Sequence, residues 1–243
     1  MKRFLICLSI AGAALGQGTD DKCVNLPTSA QLRTFLQQAP GLADGVVGGT
    51  VGGLFNGARM WGAIVNRAGE VCAVAASTSD PTQVWPGSQA IAKAKAYTGN
   101  AFSVDSLPLS TARLYTFTQP GHSLWSLGQS NLFNPAELQT QADAQKSNGK
   151  IAGGLIFFGG GLPIYRSGRV VGGLGISGDT SCADHEVAKR VRQMAELNPP
   201  GGPTADDIVY TYLDGVSVFA HPRCINTWRN GSRVGDEIPA KDY

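Results

Sequence analysis

The chain has 243 residues, 42% apolar and 16% charged, which is enough apolar material for a packed core and too little charge for a disordered chain. Its 20 basic and 18 acidic residues nearly balance and form no basic run, so nothing electrostatic points to nucleic acid or an anionic membrane as partner. Its 32 glycines show no G-X-Y period, which excludes collagen and implies tight turns and close backbone approaches.

Residues 1–16 read as a secretory signal peptide. Lys2 and Arg3 precede an apolar run, 4–15, and Ala14-Leu15-Gly16 places small residues at the cleavage positions, so cleavage is expected before Gln17. The run is shorter than the about 20 apolar residues a membrane helix needs, and no later segment is long and apolar enough to span. The mature chain, 17–243, is expected to be a single domain, secreted or periplasmic. Cys7 leaves with the leader, and Cys23, Cys72, Cys182 and Cys224 remain. An even count in an exported chain suggests two disulfides, whereas a zinc site would want close cysteine pairs. Three connectivities are possible and the sequence does not select among them. The pairing put forward is Cys23–Cys72 and Cys182–Cys224, each tying a terminal segment to the core.

Residues 27–39 have helical spacing, with Leu32, Phe35 and Leu36 on one face, Thr28 or Ser29 as cap, and Pro40-Gly41 as stop. The glycine-rich stretch 45–57 is a loop without a phosphate-binding pattern. Two apolar runs, 61–65 and 71–75, flank the turn Asn66-Arg67-Ala68-Gly69 and read as a β-hairpin. A helix follows over 88–102, with Ala90, Ala94, Tyr97 and Ala101 in one stripe. The Pro-, Gly- and Ser-rich stretch 103–149 is too apolar at Leu114, Tyr115, Phe117, Trp125, Leu127 and Phe133 for a solvated linker, and short helices are expected at 110–117 and 135–144.

The second half repeats the first. An apolar run at 155–158 leads to strands at 162–165 and 170–176 around Arg166-Ser167-Gly168. A helix then covers 183–197, with Val187, Val191 and Met194 inward. The tail 208–220 reads as another hairpin, turning at Asp214-Gly215. Hairpin, helix, hairpin, helix around one antiparallel sheet is an α+β class.

Two stretches carry a resemblance. One runs from Val71-Cys72-Ala73-Val74 through Trp85-Pro86-Gly87-Ser88 to Lys93-Ala94-Lys95-Ala96-Tyr97-Thr98-Gly99-Asn100-Ala101-Phe102-Ser103. The other runs from Gly159-Gly160-Gly161-Leu162-Pro163 through Val170-Val171-Gly172-Gly173-Leu174-Gly175-Ile176-Ser177-Gly178 to Asp184-His185-Glu186-Val187-Ala188. In order and spacing they resemble the GlcG/HbpS-like family, which also supplies the C-terminal module of PduO-type cobalamin adenosyltransferases. The resemblance covers roughly 60–197. It implies a profilin-like sandwich, an antiparallel sheet with helices on both faces, assembled into homo-oligomers. It also implies a haem or related tetrapyrrole ligand, with haem or iron sensing or scavenging as the role. An insertion near 119–148, an extension from 198 and the mature cysteines depart from the family pattern.

Haem needs an apolar slot, partners for its propionates and an optional axial ligand. His122, His185 and Tyr97 are ligand candidates by residue type. From the resemblance, the K-A-x-T helix lines the ligand face, so Lys95 is expected near a propionate and Thr98 near the iron or ring edge, with Ala94 and Ala101 letting a ring approach. Ser181 and Asp184 stand at capping-box-like spacing. Catalysis finds little support. Cys182 and His185 open a helix where a thiolate would be stabilised, but a disulfide removes that nucleophile. Ser88 and Ser177 lack a nucleophile elbow, and H-E-x-x-H is missing. The leading reading is a haem-binding protein. The alternative is an enzyme acting on a small organic substrate, or on haem, in the same groove.

Overall fold

The computed structural model describes residues 21–238, so the signal peptide expected at 1–16 lies outside the described residues. Strands Trp61–Asn66 (β1) and Val71–Ala76 (β2) form the first hairpin, and Gly161–Arg166 (β3) and Arg169–Ser177 (β4) the second. They join in one antiparallel sheet of order β2-β1-β4-β3, with β1 beside β4 from Trp61↔Ser177 to Asn66↔Gly172.

Strand alternation sends successive side chains to opposite faces, and each face is covered by helix. Ser29–Gln38 (α1) and Ser181–Met194 (α3) cover one face, where Leu32, Leu36, Ile64, Leu174, Ile176, Val187 and Val191 pack together. Ser88–Ala101 (α2) covers the other, against Trp61, Ala63, Val65 and Val74. This is the expected α+β sandwich. Thr28 caps α1 in a capping box with Gln31. α2 lies directly on β4 because the strand offers glycine there: a Cβ at Gly173 would collide with the Ala96 carbonyl, and one at Gly175 with that of Ala92.

Cys23 is joined to Cys72 and Cys182 to Cys224, the pairing put forward from the sequence. Each closes a loop of several tens of residues and contributes about 2–4 kcal/mol by restricting the unfolded chain. Among the described residues no helix is long and apolar enough to cross a membrane.

Three expectations are corrected. The tail 208–220 is not a hairpin: Thr211–Asp214 (α4) forms a helical turn before Gly215, and Val209 meets Ala220 in a single parallel bridge. The tail hairpin lies further on, between Thr227–Arg229 (β5) and Ser232–Gly235 (β6), where Asn230 takes a positive φ and Gly231 follows. Residues 110–117 and 135–144 are not α-helices but hold 3-10 turns, Thr111–Leu114, Thr116–Thr118 and Pro135–Glu137. The cap of α3 is Thr180, whose hydroxyl accepts from the Ala183 N–H, so Asp184 is released for another role.

The polar side of α3 is also buried. Arg192 forks onto Asp206, while Lys189 meets Glu186 (2.7 Å), Asp207 (2.8 Å) and Asn230 Oδ1 (2.6 Å). The tail folds back over α3 and supplies Asp206, Asp207 and Asn230 to it, as buried charges require.

Candidate functional site

α2 presents Lys95 and Thr98 to the segment 154–161, and both side chains are fully enclosed. Lys95 Nζ donates to Asp184 Oδ2 (2.7 Å) and to the Ile176 carbonyl (3.1 Å), and lies 4.9 Å from the centre of the Phe158 ring. Burial pushes the Lys95 ammonium down and the Asp184 carboxyl up to about 6, each opposed by the other's charge. Thr98 Oγ1 donates to the Ala94 carbonyl (2.7 Å) and accepts from the Ile156 N–H (3.0 Å). Gly154 packs so closely on Ala94 that a Cβ would stand 2.8 Å from the Ala94 methyl. The space assigned to a ring from the sequence is therefore filled by the chain's own 154–158 segment. Lys95 and Thr98 hold that segment from behind rather than face open space.

His185 is fully buried, with Nε2 3.5 Å from Asp207 Oδ1. Burial opposes ionisation of Asp207, but Lys189 and the His185 ring override it and hold its carboxyl below the usual range. His122 is exposed in the insertion and lines neither groove described below. The Tyr97 hydroxyl accepts from Asn131 Nδ2 (3.0 Å), and its ring packs on Gly69. The structure thus brings Lys95, Asp184 and Thr98 together behind one surface, with His185 behind the tail and His122 apart.

The outer surface of segment 155–158 forms the floor of a groove of about 320 Å³, walled by Tyr115, Trp125, Leu127, Phe157 and Phe158. On the other side of Tyr115 a second groove, about 340 Å³, is lined by Tyr115, Tyr210, Tyr212, His221 and Arg223. Together they fall in the range of small-molecule sites, roughly 300–1,000 Å³. Larger grooves, of about 540 and 610 Å³, flank residues 22–29 at the turn end of the sheet. Neither has an aromatic wall, and in the groove of about 540 Å³ Lys22 and Glu70 pair at 2.7 Å. For a flat apolar ligand the Tyr115 grooves are the better match.

Tyr115 sits between two 3-10 turns of the insertion side, its ring 5.1 Å from that of His221. Its hydroxyl has no hydrogen-bond partner among the described residues. His221 is buried: Nδ1 donates to the Pro222 carbonyl (2.6 Å), and Nε2 accepts from the Gly159 N–H (3.2 Å). Burial pulls its pKa down to about 3, so the ring is neutral. Both nitrogens are thus occupied, and the Tyr115 oxygen is a donor atom left free where the two grooves meet. Among the described residues, no group of three or more His, Cys, Asp or Glu side chains is placed to hold a bare metal ion. A haem would bring its own metal and would ask for aromatic walls, a donor atom and a cation for its carboxylates. Phe157, Phe158, Tyr115 and Arg223 fit that set.

Sequence reasoning missed Tyr115 and His221 as site residues. Tyr115 was visible only as one apolar residue of the stretch 103–149. His221 gave no signal, because its partners Gly159 and Tyr115 lie 62 and 106 residues earlier.

A family model described as "Haem degrading protein HbpS-like" matches residues 54–193. No curated protein matches the chain significantly. Among solved structures, a PduOC–haem complex is 21% identical, covering 70% of this chain and 94% of its own, with a TM-score of 0.46. The Klebsiella pneumoniae protein ORFY is 20% identical over 77% of this chain and 98% of its own, TM-score 0.44. A double mutant of Streptomyces reticuli HbpS is 18% identical over 79% and 98%, TM-score 0.39.

Proposed function

The chain belongs to the HbpS-like family, and on that premise we propose that it binds haem in the aromatic groove beside Tyr115. The observation that carries this reading is the family match. The groove supports it, because a flat conjugated ring gains most from stacking on aromatic walls and from leaving water. A bound haem would supply a redox-active iron centre. The chain's residues do the rest. Phe157 and Phe158 would hold the ring, Lys95 and Thr98 fix that floor from behind, and Tyr115 would be the residue whose hydroxyl oxygen could meet the iron. Lys95 and Thr98 are positioning residues in this arrangement, not ligand contacts.

We also read the protein as exported, acting in haem or iron sensing or scavenging. The two disulfides support export. Exposed Trp125, Leu132 and Val216 support self-association, which light scattering at micromolar concentration tests, a monomer counting against it.

Titration of the full chain with hemin tests the site. A saturable Soret shift is expected, with Tyr115→Phe changing the spectrum and Trp125→Ala weakening affinity about tenfold. Unchanged spectra in both variants, with binding abolished in His122→Ala, would place the site in the insertion loop. The family model's description names haem degradation, so the same complex is given a reductant under air. Loss of pigment there favours the enzymatic reading, and a stable spectrum favours binding alone.

A further inference from the structure

We infer that the groove on the tail side of Tyr115 is a carboxylate subsite, in which Arg223 holds the anionic edge of the tetrapyrrole. This rests on the haem reading above and deepens it: the ligand selected is a porphyrin with free propionates, not merely an apolar ring.

The family match ends at residue 193, yet Tyr210, Tyr212, His221 and Arg223 all come from the chain beyond it. The extension therefore builds half of the site. Among the described residues it carries three arginines, and two are neutralised: Arg229 by Asp214 (2.7 Å) and Arg233 by Asp236 (2.6 Å). Arg223 has no carboxylate and no hydrogen-bond acceptor among the described residues. Its guanidinium lies 5.0 Å from the centre of the Tyr212 ring, and a Cβ at Gly235 would stand 2.8 Å from Nη1. The guanidinium thus lies between ring and backbone in a partly covered groove. A guanidinium stacked on a ring keeps its planar fork for a carboxylate, which it can meet in two parallel hydrogen bonds. Tyr115 belongs to both grooves, so an apolar ring on Phe157 and Phe158 can extend its polar edge past Tyr115 toward Arg223. His221, the other basic side chain lining this groove, is occupied and neutral and offers no competing charge.

The test uses the full disulfide-bonded chain and two probes, ferric protoporphyrin IX and its dimethyl ester, titrated by absorbance. Wild type is expected to bind the free diacid at least about tenfold more tightly than the ester. Arg223→Gln is expected to remove that preference by weakening the diacid alone. Arg223→Lys, which keeps the charge but not the fork, should give an intermediate ratio. Arg169→Gln, at an exposed residue that opens β4, should change neither probe. Equal wild-type affinity for diacid and ester, or an Arg223→Gln protein that folds and keeps the full preference, overturns the subsite while leaving haem binding standing. If Arg223→Gln fails to fold, the Arg223→Lys ratio decides, and one equal to wild type overturns the proposal. Failure of both probes to bind wild type overturns the haem reading and the subsite with it.

Discussion

His221 is held neutral by burial and by two hydrogen bonds that use both ring nitrogens. Its folded pKa, about 3, lies below the 6.5 of the unfolded chain, so below pH 6.5 the unfolded state takes up a proton that the folded state refuses. The stability His221 contributes is therefore complete above pH 6.5 and is lost as the pH falls toward about 3, at up to about 1.4 kcal/mol per pH unit. Asp184 acts with the opposite sign: its carboxyl keeps a proton up to about 6 in the folded state, against 3.8 unfolded, so its term falls as the pH rises through that window. The raw pH curve mixes the two. The readout is the difference in unfolding free energy between wild type and His221→Gln, which should shrink on acidification from pH 6.5, and a constant difference would refute it. The Lys95–Asp184 pair gives a second test. Lys95→Met leaves a carboxylate buried without its cation and should cost about 3–5 kcal/mol. Adding Asp184→Asn should restore a large part of this in urea denaturation, while additive losses would mean that the pair is not coupled.

At the scale of elements, the contact of α2 with β4 has no slack. Gly173→Ala or Gly175→Ala places a methyl against the helix backbone, and either should cost about 1–3 kcal/mol or more, because α2 must lift from the sheet. Gly45→Ala, with open space around its Cβ, should stay within about 0.5 kcal/mol. Equal midpoints in thermal unfolding for the two kinds of variant would contradict this packing. The same strand shows why the core was legible in the sequence. Leu174 and Ile176 alternate with Gly173 and Gly175, and that local pattern states both the strand and its two faces. The orientation of α2 was not legible. The spacing of Lys95 and Thr98 puts them on one side of the helix, but whether ligand or chain covers that side depends on residues 154–158, about 60 positions away. The polar side of α3 was hidden for a similar reason. Glu186, Lys189 and Arg192 look solvent-facing until Asp206, Asp207 and Asn230 are brought onto them by the tail. In the tail, Asp214-Gly215 imitates a hairpin turn, yet Asp214 instead ends a short helical turn, accepts from the Tyr210 N–H and binds Arg229, and the hairpin forms at Asn230-Gly231.

For the whole molecule, the two disulfides divide the labour between the core and the site. Cys23–Cys72 fastens the segment before α1 to the edge strand β2, on the side of the large non-aromatic grooves. Cys182–Cys224 fastens the tail to the first turn of α3, three residues from His221 and beside Arg223, so it anchors the wall of the tail groove. Thr227 strengthens that anchor by accepting from the Cys224 N–H (2.7 Å) and donating to its carbonyl (2.7 Å). Both bridges restrict the unfolded chain over similar separations, 49 and 42 residues, so their stabilities should be alike, about 2–4 kcal/mol each. Their effects on the ligand should differ. Cys182→Ser with Cys224→Ser should weaken hemin binding and raise amide exchange across 208–224, since the tail then loses its covalent tie to α3 and keeps only its non-covalent contacts. Cys23→Ser with Cys72→Ser should lose comparable stability and leave hemin affinity unchanged. Denaturant unfolding, hemin titration and hydrogen exchange on the two variants separate these cases. Equal loss of hemin affinity in both would mean that the bridges act through global stability alone, and that the tail is not a wall of the site.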